Sequence, residues 1–134
     1  MAAKESLFRG PKELRVKTRT VTRSMTTGTA LAKLPKGSRF LGAIIQGTAS
    51  DAGTTATVAF GNTTTATEFG SANVLAAGVG NGGLFVADAT AQTVFTSDTT
   101  IYCIYAESGT ASSAGDWTVS LLYTDGNGIA PGTV

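Results

Sequence analysis

From residue 12 onward, apolar and polar positions alternate with a period of two, in short runs separated by glycine, proline and asparagine. A period of two places successive side chains on opposite faces of an extended strand, whereas a helix would repeat every 3.6 residues. The pattern predicts strands over 12–24, 27–34, 39–46, 54–60, 84–87, 100–106 and 116–124, with a further short one over 93–96. Leu34-Pro35-Lys36-Gly37, Gly61-Asn62 and the Gly78–Gly83 run supply turns and loops between them. Residues 39–46 are apolar on both faces, as expected of a strand central in its sheet. In 116–124, Trp117, Val119, Leu121 and Tyr123 fall on one face and Thr118, Ser120, Leu122 and Thr124 on the other. The middle of the chain carries weaker signals. Residues 63–70 read as a short strand or an irregular loop, and 71–77 as one turn of helix. About eight short strands at this spacing predict an all-β fold, a single jelly-roll-like β-sandwich.

Composition sharpens this picture. The 134 residues include 17 Gly and no His, and only 14% are charged. Thr and the aromatics suit a pleated, half-buried surface, and 42% hydrophobic content is ample for one folded domain. No apolar run approaches the roughly 18 residues that span a membrane as a helix. Residues 1–23 lack the apolar core of a signal peptide, which predicts folding in a reducing cytoplasm. The single cysteine, Cys103, lies in the apolar run Ile101–Tyr105 and reads as a small buried hydrophobe.

Charge is divided sharply along the chain. All ten basic residues occur by position 39, with only Glu5 and Glu13 among them, for a net of +8. From Phe40 onward there are seven acidic residues and no basic one. The division predicts a basic N-terminal arm over 1–24, reaching out from a sandwich over 25–134. In an extended chain Arg15, Lys17, Arg19 and Arg23 share a face with Val21, while Leu14, Val16, Thr18, Thr20 and Thr22 take the other. Three readings of this stripe stand side by side. Its charges guard an exposed sheet edge, they dock onto an acidic protein surface, or they bind nucleic-acid phosphate. Lys12, Arg15, Lys17, Arg19 and Arg23 are the candidate partner-binding residues. The nucleic-acid reading is the weaker of the two binding readings, because Phe8 is the only aromatic before Phe40 and nothing is placed to stack on bases.

The chemistry of an enzyme is missing from the sequence. Serine or cysteine nucleophiles normally need an imidazole base, and imidazole zinc sites need histidine. The Gly78–Gly83 run is followed by strand-like Leu84–Ala87 and no phosphate-binding Lys, so it does not form a nucleotide loop. Asp51, Asp116 and Asp125 sit in loops, where Asp commonly bonds its own backbone. Asp125-Gly126-Asn127 lacks the further ligands of a calcium loop. Trp117 and Tyr123 share a face with Val119 and Leu121, which assigns them to the core rather than to a sugar platform. The expectation is a non-enzymatic chain with no cofactor and no metal.

The segments 33–45, 54–62, 99–105 and 115–123, in this order, resemble small jelly-roll capsid cement (decoration) proteins of tailed bacteriophages. The likeness spans roughly residues 30–124 and rests on turns and alternations. It implies a virion location, binding to the assembled major capsid protein, self-association as dimers or trimers, and no catalysis. A neck, tail or fibre-base protein would share these features at lower copy number.

Overall fold

The computed structural model describes residues 13–125. Eight strands follow in chain order: β1 (Glu13–Thr22), β2 (Thr29–Leu34), β3 (Arg39–Thr48), β4 (Thr55–Gly61), β5 (Gly70–Asn73), β6 (Gly83–Val86), β7 (Thr99–Ser108) and β8 (Asp116–Asp125). One 3-10 turn (Ala89–Ala91) precedes β7. The strands form two four-stranded antiparallel sheets, ordered β1-β8-β3-β6 and β2-β7-β4-β5.

The pairings β4–β5, β3–β6, β2–β7 and β1–β8 are nested, as in one long hairpin rolled up on itself. That is the jelly-roll arrangement, the predicted fold class. Its physical basis is the alternation itself. Val21, Ala43, Ile45, Val119 and Leu121 from the first sheet face Leu34, Val58, Phe60, Ile101 and Cys103 from the second, all buried. Aromatic rings fill both ends of this core. At one end Phe40 lies against Phe69 (4.9 Å between ring centres) and Phe60 stacks on Phe85 (5.0 Å). At the other, Trp117 stacks on Tyr105 across the two sheets (5.7 Å) and donates its indole N–H to Gly80 O (2.9 Å). Trp117 and Tyr123 are core residues, as their parity predicts. Cys103 is buried beneath Met25, and burial pushes its thiol up to about 11.

The structure corrects the predicted boundaries in three places. Residues 13–22 do not reach away from the sandwich. They pair with β8 from Glu13↔Asp125 to Thr22↔Asp116, and Val21 is fully buried. The reason is that the apolar side of β8 and its backbone both require a neighbour, and the alternation of 13–22 supplies one. The first twelve residues of the expected arm, and Lys12 with them, lie outside the described residues. Residues 71–77 hold no helix. Gly70–Asn73 instead forms β5, with Ala72 turned into the core. Residues 93–96 are not a strand, but Phe95 is buried and its backbone bonds Ser38 O and Gly37 N (both 2.8 Å), tying this segment to the β2–β3 turn. The Asp125-Gly126-Asn127 run extends past the described residues.

Gly42 shows where the backbone dictates the residue. β3 shifts register against β8 between Phe40 and Gly42, and at Gly42 it runs so close to β6 that an added Cβ would lie 2.1 Å from Phe85 O. Glycine in a strand interior commonly marks such a close approach.

Candidate interaction surfaces

β1 and β2 are the edge strands of their sheets on the same side of the sandwich. Register places Arg15, Lys17 and Arg19 opposite Tyr123, Leu121 and Val119, on the inward-facing side of β1. The basic stripe therefore turns toward the seam between the sheets. Lys17 Nζ donates to Lys33 O (3.1 Å) and Arg19 Nε to Leu31 O (2.7 Å), satisfying backbone carbonyls of β2. Arg19 also donates to Thr18 O through Nη1 (2.8 Å). These cations close an open seam and blunt an edge that would otherwise invite strand addition. Arg15 is likewise engaged within the chain.

Arg23 lies past the end of β1 and does a different job. Its guanidinium donates to Ser112 O (2.9 Å) and Ser113 O (3.1 Å) in the 109–115 loop. Two carboxylates hold the same loop. Asp51 accepts from Ser113 N and Oγ (both 2.7 Å) and Ala114 N (2.9 Å). Glu107 accepts from Tyr105 Oη (2.8 Å), Ser112 N (2.9 Å) and Ser112 Oγ. The Ser113 hydroxyl and the Ala114 and Ser113 N–H groups hold Asp51 down to about 2. At the far end Glu68 is partly buried, which pushes its carboxyl up. The Thr63 and Thr65 hydroxyls and the Thr63 backbone N–H outweigh that and hold it at about 2. Of the acids expected in loops, Asp51 does lie in one but holds the distant 109–115 loop more than its own backbone, whereas Asp116 and Asp125 begin and end β8.

Arg19→Ala is expected to cost about 1–2 kcal/mol, because two charge-assisted bonds to backbone carbonyls are lost and both acceptors revert to water. Arg19→Lys should recover only part of this, since one ammonium cannot reproduce the forked contact. Urea titrations of the three proteins compare them directly. A second expectation concerns acid. Asp51 and Glu68 titrate well below their ordinary values of 3.8 and 4.5 in the folded chain. Their contribution is therefore complete above about pH 4.5 and lost as pH falls toward 2. Thermal melts should fall steeply across that window, and less steeply in the Asp51→Asn/Glu68→Gln double variant.

Among the described residues no group of three or more acidic or cysteine side chains converges as a metal site. A depression of about 620 Å³ lies between Thr22–Ser24, Thr48 and Ser113–Asp116, and Arg23 and Asp116 are its only ionisable lining residues.

One surface escaped the sequence reading. Outward-facing rows cross the first sheet: Leu14–Thr124–Arg39, then Val16–Leu122–Gly42–Val86, then Thr18–Ser120–Ile44–Leu84. Leu14, Val16, Ile44, Leu84 and Val86 are 40–61% exposed, and they are five of the six large exposed apolar side chains among the described residues. β3 is central in its sheet, as predicted, but only its inner face is covered by the described residues. Each strand of this face alternates correctly on its own. What the sequence leaves open is whether an apolar outer position is covered by another element, and the signal available was the coincidence of Leu14/Val16, Ile44 and Leu84/Val86 on one side of one sheet.

No known family model and no curated protein sequence matches the chain. Among solved structures it is similar to a chain described as "Cyanophage Pam1 capsid asymmetric unit", at 23% identity, with a TM-score of 0.61, over 85% of this chain and 86% of the other. At this level of identity the similarity establishes the shared fold: an eight-stranded, two-sheet β-sandwich.

Proposed function

We propose that this chain is a non-enzymatic structural protein of a tailed-phage virion, and specifically a capsid cement (decoration) protein that binds the assembled shell of major capsid protein. The observation that carries the reading is the fold similarity to a phage capsid component over nearly the whole of both chains. The composition agrees with it. The chain has no histidine, few charges and outer strand positions rich in threonine, a combination suited to broad protein contact and poor in catalytic groups. Cement proteins act by mass action: a ligand that binds only the assembled form stabilises it, and each modest contact is repeated across the lattice.

Docking through the N-terminal basic residues remains part of the proposal, with the geometry setting how it must be tested. Lys17, Arg19 and Arg23 bond the chain's own carbonyls, so replacing them by Ser removes charge and weakens the fold together. The informative comparison is between Ser and charge-preserving Lys/Arg exchanges of Lys12, Arg15, Lys17, Arg19 and Arg23, with stability measured alongside shell occupancy. Occupancy that tracks charge rather than stability supports docking. Occupancy that tracks stability alone assigns these residues to the fold.

The decisive experiment for the function is the copy number of the chain in purified particles of its source phage, by quantitative mass spectrometry against the major capsid protein. Hundreds of copies in a simple ratio support a cement role. About a dozen or fewer would place it at the neck, tail or fibre base, and absence from the particle would overturn the virion reading.

A further inference from the structure

The outer face of the β1-β8-β3-β6 sheet has a charge pattern as well as an apolar one. Along β3 and β8 the outward rows run from Arg39, opposite Thr124, to Thr48, opposite Asp116. Arg39 and Asp116 are both exposed, and neither side chain has a partner among the described side chains. Eight residues of β3 lie between Arg39 and Thr48, which sets the two end rows about 30 Å apart. Between them lie only uncharged side chains: the apolar rows above, then Thr20–Thr118–Gln46. The face is thus neutral through its middle and carries opposite charges at its two ends.

We propose that this face is covered by the same face of a second copy of the chain, related by a two-fold axis that runs across the strands. A closed two-fold interface demands self-complementarity. An axis parallel to the strands would set Arg39 against Arg39 and Asp116 against Asp116. An axis across the strands, through the Thr18–Ser120–Ile44–Leu84 row, reverses strand direction and places Arg39 over the partner's Thr48–Asp116 row, twice. Ile44 and Leu84 then meet their own counterparts, and Val16 and Leu122 meet methyl-bearing threonines. Two sheets packed this way lie about 10 Å apart, which an arginine side chain spans readily.

The size of the face agrees with a reversible pair. Four strands at about 4.8 Å spacing and about 30 Å length present on the order of 500–600 Å² per copy. A standard stable interface uses roughly 800 Å² per partner, so the dimer falls at the small end of the range. The proposal rests on this face alone and not on the virion reading.

The test is sedimentation velocity on the full chain over a loading range of roughly 1 µM to 1 mM. The wild-type chain is expected to pass from monomer to dimer within that range. Arg39→Asp and Asp116→Arg, each alone, should weaken dimerisation by about tenfold or more through like-charge contact, and the double variant R39D/D116R should restore it to within about threefold. Ile44→Glu, which sets two carboxylates against each other at the axis, should abolish dimerisation while circular dichroism reports an intact sheet fold. A chain monomeric throughout the range overturns the proposal, as does a closed ring of three or more. Failure of the double charge exchange to rescue association overturns the two-fold geometry.

Discussion

Trp117→Ala is expected to cost about 3–5 kcal/mol, enough to unfold a substantial fraction of the protein near body temperature. The indole is fully buried in β8, stacks on Tyr105 from the opposite sheet, and donates to Gly80 O in the loop between β5 and β6. Three connections are therefore lost together: apolar area, an aromatic pair joining the two sheets, and a bond that holds a glycine-rich loop against the sandwich. Truncation also leaves Gly80 O without its donor in a buried setting, which adds to the cavity cost. Thermal unfolding should shift downward by roughly 10–20 °C, the scale set by a chain of this length. Trp117→Phe keeps a ring against Tyr105 and loses the N–H, so it should fall about midway between the wild-type and Ala proteins. If Phe and Ala prove equally damaging, the hydrogen bond to Gly80 outweighs packing. If Phe is nearly neutral, packing carries the site.

The behaviour of Trp117 was legible because its parity with Val119, Leu121 and Tyr123 depends only on local alternation, and β8 is a regular ten-residue strand. The same logic made β2, β3, β4 and β7 readable. Where the reading failed, a tertiary partner decided the structure. Residues 70–73 are too short and too rich in small residues to show a period, and they become a strand because β4 offers an edge from Thr57 to Phe60. The 93–96 segment has strand-like residues, yet no sheet edge receives it and only Phe95 is anchored. The basic stripe shows the limit most clearly. Its alternation over 13–22 was correct, but alternation cannot say which face turns inward. Val21 settles that, being drawn into the core and taking Arg15, Lys17 and Arg19 to the seam with it. Lys17 and Arg19, which read as reaching outward, instead bond the carbonyls of a neighbouring strand. The apolar outer face was missed for the complementary reason, since its members come from strands far apart in sequence.

Gly42→Val is expected to be as damaging as Trp117→Ala, at about 3 kcal/mol or more, and to act through a different part of the fold. The added Cβ would lie 2.1 Å from Phe85 O and 3.1 Å from Val86 Cα, both backbone atoms that no rotamer change can clear. The glycine also has φ +155°, a backbone conformation that L side chains rarely adopt. Relief therefore requires β3 and β6 to separate, and β6 is a four-residue edge strand held to the sheet through β3 alone. Strain of this kind and overpacking each cost about 1–3 kcal/mol. The damage should be local. Amide exchange is expected to accelerate at Leu84–Val86 and Ala87, whose N–H bonds Leu41 O (2.9 Å), while the β2-β7-β4-β5 sheet stays protected. Leu84 and Val86 are carried on the displaced strand, so the variant should also lose self-association through the outer face without any change to Arg39 or Asp116. Gly42→Ala, with the same clash and no branching, should show the same exchange pattern to a smaller degree. Uniform acceleration across both sheets would instead mean that β6 does not move independently and that the sandwich opens as one cooperative unit.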